Sequence, residues 1–383
     1  MKIKVLHFID YYLPETMNWI QELLNSSSEN CIHYICCRYY SPNITLKFIK
    51  IENVGIKCNY PVNLISKIKA AISEINNYKK IQLFINSEGI QILHFHFGHV
   101  ALNFSKLIGK YGRKCLISLY GFDYEYLPNK HPNIKEEYYR LSKYGAHFAV
   151  EGTYSKNLLE KYRIQSKNII IIQMIFSRSK NIEIQPFGYP IQLTQVATYT
   201  EKKGQDILLH ALALSKYRNK FKIHFHGEIG DGKYYTNLQK IIQTHNLNNV
   251  SLGNKLSISD YIHKIKKSHI VVNLSKRTKL KDTEGGCPVN IKDALTLGKP
   301  VFTTSHCDIP ETAINGYNAW IAQENNIEDA SRVLDQIAFI SQSEYNAYCH
   351  HSIESTKAKL NSNLTGQQIT DAYKLILNES LLA

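Results

Sequence analysis

Residues 193–227 read LTQVATYTEKKGQDILLHALALSKYRNKFKIHFHG. Leu193 to Tyr199 is an apolar run of strand length. A charged turn ends at Gly204, and Gln205 to Tyr217 carries apolar residues at helical spacing. Phe221 to Gly227 is a second strand. A strand, a helix and a strand in this order form a parallel pair joined by a crossover helix.

The same alternation continues outward. Downstream, strands are expected at NVSLG (249–253), HIVVNLS (269–275) and PVFTT (300–304), with helices between them. Upstream the pattern breaks at EIQPFGYPIQ (183–192), where two prolines and a glycine fall close together. Before that break it runs again. Strands are expected at IKVLHFI (3–9), CIHYICC (31–37), QILHFHF (91–97), KCLISLY (114–120), AHFAV (146–150) and NIIIIQ (168–173). The reading is an α/β chain with two Rossmann-like domains facing each other across a cleft. The expected boundaries are 1–186, 187–360 and a helical tail, 361–383, that packs back on the first domain.

Composition agrees with this. Of 383 residues, 44% are hydrophobic and 20% charged, which excludes a disordered chain. No apolar run reaches the ~18 residues of a membrane helix. The N-terminus has no long apolar segment of a secretory leader and reads as the first strand of a cytoplasmic protein. Eight cysteines are scattered with no Cys-x-x-Cys pair, so they are expected as reduced thiols with no metal site.

The net charge is 46 − 32 = +14. Up to Phe187 it is 24 − 14 = +10, and beyond it 22 − 18 = +4. The basic first half points to an anionic partner. Lys67, Lys69, Lys79 and Lys80, with Lys106, Lys110, Arg113 and Lys114, lie on amphipathic segments and suggest an anionic membrane surface. Nucleic acid is not expected: the charge is spread and no binding fingerprint is present.

The segment richest in chemistry is DTEGGCPVNIKDALTLGKP, Asp282–Pro300. Gly285 and Gly286 permit close backbone approach, and Pro288 suits a first helical position. Gly298 and Pro300 end the helix. A glycine loop opening a helix presents free N–H groups to an anion. Glu284 enters the loop, and Asp293 lies four residues after Val289 on the same helical face. His94 and His96 alternate on one strand and face the same side; no third ligand at useful spacing accompanies them.

This segment and its continuation, GKPVFTT…DIPE…NGYNAW, resemble the nucleotide-binding signature of family 4 retaining glycosyltransferases with the GT-B fold. HFHFG (94–98), SLYGFD (118–123), EKKGQDILLHAL and HFHGEIGDG resemble further motifs of that family. The resemblance implies transfer of a sugar from a UDP- or GDP-sugar to a glycan or lipid-linked acceptor, with retention and without a metal or other cofactor. The setting it suggests is bacterial lipopolysaccharide, capsule or exopolysaccharide synthesis, peripheral on the inner face of the cytoplasmic membrane.

It casts His96, Tyr120, Lys203 and Glu284 as catalytic. Glu284 would contact the transferred sugar and Lys203 the diphosphate. Asp293 would contact the ribose, and backbone amides around Cys287, Pro288, Val289 and Asn290 would hold sugar and phosphate. Thr198, Gly227, Arg277 and Gly286 complete the donor set. Glu15 and Trp19 would face the acceptor.

The sequence departs from the family at four places. Glu284 and Asp293 are nine residues apart rather than eight. Thr198 stands where an Arg is usual; Lys202, Lys276 and Arg277 are the candidate replacements, and Arg277 is the one expected. Tyr120 stands where a His is usual. The loop after the first strand is YYLPETMNWI. The alternatives are a GT-B sugar-nucleotide epimerase and a catalytically degenerate member.

Overall fold

The structure, a computed structural model, describes residues 2–12, 18–40, 48–50, 64–178 and 182–381. The side chains of 18, 40, 48–50, 64–74 and 381 lie outside that description. The chain divides into two units: Met1–Met174 with Asn363–Ala383, and Ile175–Ser362.

The first unit holds a seven-stranded parallel sheet. Its strands are β1 Ile3–Tyr12, β2 Cys31–Tyr40, β3 Phe48–Lys50, β4 Ile92–His96, β5 Cys115–Ser118, β6 His147–Val150 and β7 Ile169–Ile171. Their spatial order is β3-β2-β1-β4-β5-β6-β7. The chain builds outward from β1 to β3, then returns to place β4 on the other side of β1. Strands covered on both faces read as near-continuous apolar runs. Leu6, Phe8, Phe95, Ile117 and Phe148 fill one face. Ile9, Ile35 and Cys37 fill the other, against Ile20 and Leu24 of the helix Asn18–Ser27. The rings of Phe8 and Phe95 stack at 4.3 Å.

The helix Leu364–Leu381 belongs to this unit. Gly366 lets it approach closely, since a Cβ there would lie 2.1 Å from the Ser26 carbonyl oxygen. Asn363 Nδ2 donates to that same oxygen at 2.6 Å, and Thr365 Oγ1 donates to the Gln173 carbonyl at 2.7 Å.

The second unit holds a six-stranded parallel sheet: β8 Ile191–Val196, β9 Phe221–His226, β10 Val250–Gly253, β11 Ile270–Asn273, β12 Val301–Thr304 and β13 Ala319–Ala322. The order is β10-β9-β8-β11-β12-β13. Leu208 and Leu212 of the helix Gln205–Leu214 join Leu334 and Ile337 of the helix Ile327–Ile337 in its core.

Each sheet thus reverses its direction of growth once, between β1 and β4 and between β8 and β11. Ligands of open α/β sheets bind at the carboxyl edge of such a reversal. The sequence pattern anticipates neither β3 nor β13. It also reads 101–112 as one helix, whereas Gly98–Asn103 and Ser105–Tyr111 are separate, with Phe104 between them. The units divide at Met174 and Ser362 rather than at 186 and 360.

Candidate functional site

In the second unit the charged residues gather at the β8/β11 reversal. Lys203 leaves β8 on a short turn that ends at Gly204. Gly204 has φ +66°, and a Cβ there would lie 1.9 Å from the Leu274 carbonyl oxygen, so only glycine fits. That close approach carries Lys203 over the end of β11. Its Nζ lies 2.8 Å from both carboxylate oxygens of Glu284. Ser275 Oγ, just past β11, donates to the same carboxylate at 3.2 Å.

Burial would push the Glu284 carboxyl up. Lys203 above all, with Lys202, outweighs burial and holds it below the ordinary value. The loop itself is tight: Gly285 has φ +69° and the Gly286 N–H donates to the Glu284 carbonyl at 2.8 Å. Gly285 through Pro288 are buried, and the helix Val289–Thr296 begins directly after them.

Two further residues, His306 and Glu324, brace this loop, and neither belongs to a motif in the sequence. The Glu284 backbone N–H donates to His306 Nε2 at 3.1 Å, which leaves the ring proton on Nδ1 to donate to Glu324 at 3.0 Å. The other oxygen of Glu324 accepts from the Arg277 N–H at 2.6 Å. His306 follows β12 and Glu324 follows β13; their meeting depends on strand order, which local sequence does not reveal.

The other cations at this edge carry acidic partners. Lys202 pairs with Asp282 at 3.1 Å and Lys276 with Asp206 at 2.6 Å. Arg277 is close enough to Glu324 to help lower its pKa. Thr198 is exposed, and its carbonyl accepts from Gln205 Nε2 at 3.1 Å. Gly227 ends β9 where a Cβ would lie 2.0 Å from the Ala197 carbonyl oxygen. Asn290 bridges, accepting from Asn273 Nδ2 at 3.0 Å and donating to the Val196 carbonyl at 3.2 Å. Cys287 is buried and Val289 half-buried.

Asp293 stands apart. It accepts from Arg178 Nε at 2.7 Å and from the Tyr261 hydroxyl at 2.9 Å, and its side chain is 4% exposed. Burial raises its pKa despite Arg178 and Tyr261. The expected turn back toward the glycine loop is therefore not its arrangement here: helical position put it on the right face, but two buried partners take both oxygens.

The first unit gathers a different set at the β1/β4 reversal. His7 of β1 lies in register with His94 of β4. His7, His33, His94 and His96 are all buried. His7 Nδ1 is 3.0 Å from His96 Nε2, and His7 Nε2 is 2.9 Å from His33 Nδ1. His96 Nδ1 reaches the Tyr120 hydroxyl at 3.1 Å. His94 lies between Ser118 Oγ (2.7 Å) and the Tyr373 hydroxyl (2.8 Å). Burial lowers all four imidazole pKa values, His33 to about 4 and His96 to about 3.

Tyr120 follows β5, with the rings of Trp19 and Phe97 at 4.5 and 4.7 Å. Trp19, His96 and Tyr120 are therefore brought together; Glu15 lies outside the described residues. Asp123, buried, accepts from the Tyr120 N–H at 3.1 Å and fixes that turn. The expectation of no third ligand beside His94 and His96 is corrected. Parallel pairing brings in His7, and these three form the one group of metal-ligating type among the described residues.

The two sheets define an α/β protein with one cluster of polar side chains at each reversal. Residues 177–354 match the family model for glycosyl transferases group 1. The chain carries that domain over those residues, and its two sheets have the GT-B fold.

It is 27% identical over 269 residues to an uncharacterized glycosyltransferase, MJ1178, of Methanocaldococcus jannaschii, covering 69% of this chain and 70% of that one. It is 24% identical over 197 residues to the putative colanic acid biosynthesis glycosyltransferase WcaL of Salmonella typhimurium, covering 49% and 46%. Anabaena Alr3699/HepE, solved with UDP and glucose, superposes with a TM-score of 0.72 at 12% identity, covering 97% of this chain and 99% of that one.

Proposed function

We propose that this protein is a glycosyltransferase that moves a sugar from a UDP- or GDP-sugar to a glycan or lipid-linked acceptor, with retention of configuration, in bacterial surface-polysaccharide assembly. The observation that carries the reading is the Lys203–Glu284 pair, 2.8 Å apart, beside a glycine loop that opens a helix at the β8/β11 reversal. Names among the relatives support the setting, and a UDP-bound neighbour supports the donor class.

The chemistry follows from charge. The leaving nucleoside diphosphate gains negative charge as the glycosidic bond breaks, and a fixed cation with nearby N–H donors stabilises that state most. A diphosphate entering the loop competes with Glu284 for Lys203. The released carboxylate then accepts hydroxyls of the transferred sugar, while His306 keeps its backbone in place. Lys203 supplies the cation, so we propose that no metal is required.

The exposed Lys79, Lys80, Lys106, Lys110, Arg113 and Lys114 support docking on an anionic membrane surface, peripheral and from the cytoplasmic side. Among the described residues no helix is long and apolar enough to cross a membrane. The test is release of UDP or GDP from sugar nucleotides in EDTA, with and without extracted lipid-linked glycans, followed by NMR of the product's anomeric centre. Acceptor-dependent release with retention is expected. Conversion of the sugar nucleotide without any acceptor would replace this reading with the epimerase.

A further inference from the structure

Four buried histidines on one face of a sheet demand an account, because an unpaired buried polar group is costly. The carbonyls of the helix Asn18–Ser27 set one end of the chain they form. A carbonyl can only accept. Leu23 provides one: Ser27 Oγ, 3.2 Å from His33 Nε2, gives its own proton to the Leu23 carbonyl at 3.0 Å and is left to accept from the ring. His33 Nε2 is therefore the protonated nitrogen, and Nδ1 is a lone pair.

In neutral imidazoles each ring has one donor and one acceptor, so the choice propagates. His7 Nε2–H donates to His33 Nδ1 across 2.9 Å, and His96 Nε2–H donates to His7 Nδ1 across 3.0 Å. His96 Nδ1 is then left to accept from the Tyr120 hydroxyl at 3.1 Å. A second branch ends on the same phenol. The Tyr373 hydroxyl donates to His94 Nδ1, His94 Nε2–H donates to Ser118 Oγ, and Ser118 donates to the Tyr120 oxygen.

We propose that these residues form one directional hydrogen-bond chain that makes Tyr120 an obligate acceptor at the carboxyl edge of the first sheet, placed to receive a hydroxyl of a sugar ring. The ligand class rests on the glycosyl-transfer reading; the polarity of the chain does not. His7, His33 and His96 are positioning residues, since they act through Tyr120. Burial keeps the phenol itself protonated.

The chain ends on backbone carbonyls, which are no base, so it orients a proton rather than conducting one. The rings of Trp19 and Phe97 beside Tyr120 offer apolar faces to a sugar ring. Phe97 itself has φ +75°, a conformation costly for a bulky residue and found at ligand-holding positions. A site of this polarity favours a hydroxyl donor and disfavours a ligand that offers only acceptors there.

The test is long-range proton–nitrogen NMR of the full chain labelled with 15N-histidine at pH 7, after EDTA treatment. His7, His33, His94 and His96 should all carry their proton on Nε2, and Tyr120→Phe should perturb His96 Nδ1 most. A proton on Nδ1 of His7, His33 or His96, or an imidazolium among them, overturns the proposal. So does saturable binding of added Zn2+ that shifts His7, His94 and His96 together. No turnover is needed, so failure here and failure of the glycosyl-transfer reading are separate results.

Discussion

The β1/β4 and β8/β11 reversals occupy equivalent places in two similarly ordered sheets, yet their chemistry is opposite. The first is lined with neutral imidazoles, hydroxyls and aromatic rings. The second is lined with lysine–carboxylate pairs. Topology supplies the location, and side chains decide what it holds. Fixed, neutral hydrogen-bond donors and acceptors suit a polyol; exchangeable ion pairs suit an incoming diphosphate, which competes for a cation already in position.

The sharpest way to break this contrast is Lys203→Met. Turnover on the sugar nucleotide should fall by about a hundredfold or more, as for loss of one transition-state charge donor. It should also destabilise by about 3–5 kcal/mol, because Glu284 is left buried without its main partner. Adding Glu284→Gln should restore the melting temperature but not the turnover. Recovery of turnover would mean that the pair is structural.

Acid sharpens the other side. The folded pKa values of His33 and His96 lie near 4 and 3, below the ordinary 6.5, so between those values the unfolded chain binds more protons. Stability is present above pH 6.5 and is lost as pH falls through the folded values. His33 alone accounts for roughly 3 kcal/mol of that loss. Urea unfolding at pH 7.5, 5.5 and 4.5 should show it, and His33→Phe should flatten the slope. A wild-type slope of zero would place these rings in contact with water.

A smaller effect is expected at Lys299, which is fully buried and whose Nζ has no hydrogen-bond partner among the described residues. Burial lowers its pKa to about 8. Lys299→Met should stabilise by about 1–3 kcal/mol at pH 7, read as a raised melting temperature. The smallest belongs to Lys255 and Glu228, 3.5 Å apart with both side chains more than half exposed. Lys255→Ala should move stability by less than about 0.5 kcal/mol.

Strand and helix alternation was legible because each buried strand is a short apolar run between turn residues. Glu284 and the glycine loop were legible because they lie together in one segment at the start of a helix; Lys203, 81 residues away, was singled out through the family resemblance. What escaped depends on strand order. His7 joins His94 and His96 only through the β1/β4 register. His306 meets Glu284, and Glu324 meets Arg277, only because β11, β12 and β13 are neighbours. Asp293 shows the limit of a helical-face argument: the face was correct, but Arg178 and Tyr261 claim the carboxylate.

Everything proposed for the second unit rests on the β8/β11 reversal holding a nucleoside diphosphate through Lys203. Titration calorimetry of UDP and GDP into the wild type and into the Lys203→Met, Glu284→Gln double variant tests it most directly, with EDTA present. Saturable one-to-one binding to the wild type is expected, with at least tenfold weaker binding to the double variant, about 1.4 kcal/mol or more. Equal affinity in both proteins, or no binding of either nucleotide to the wild type, would contradict it.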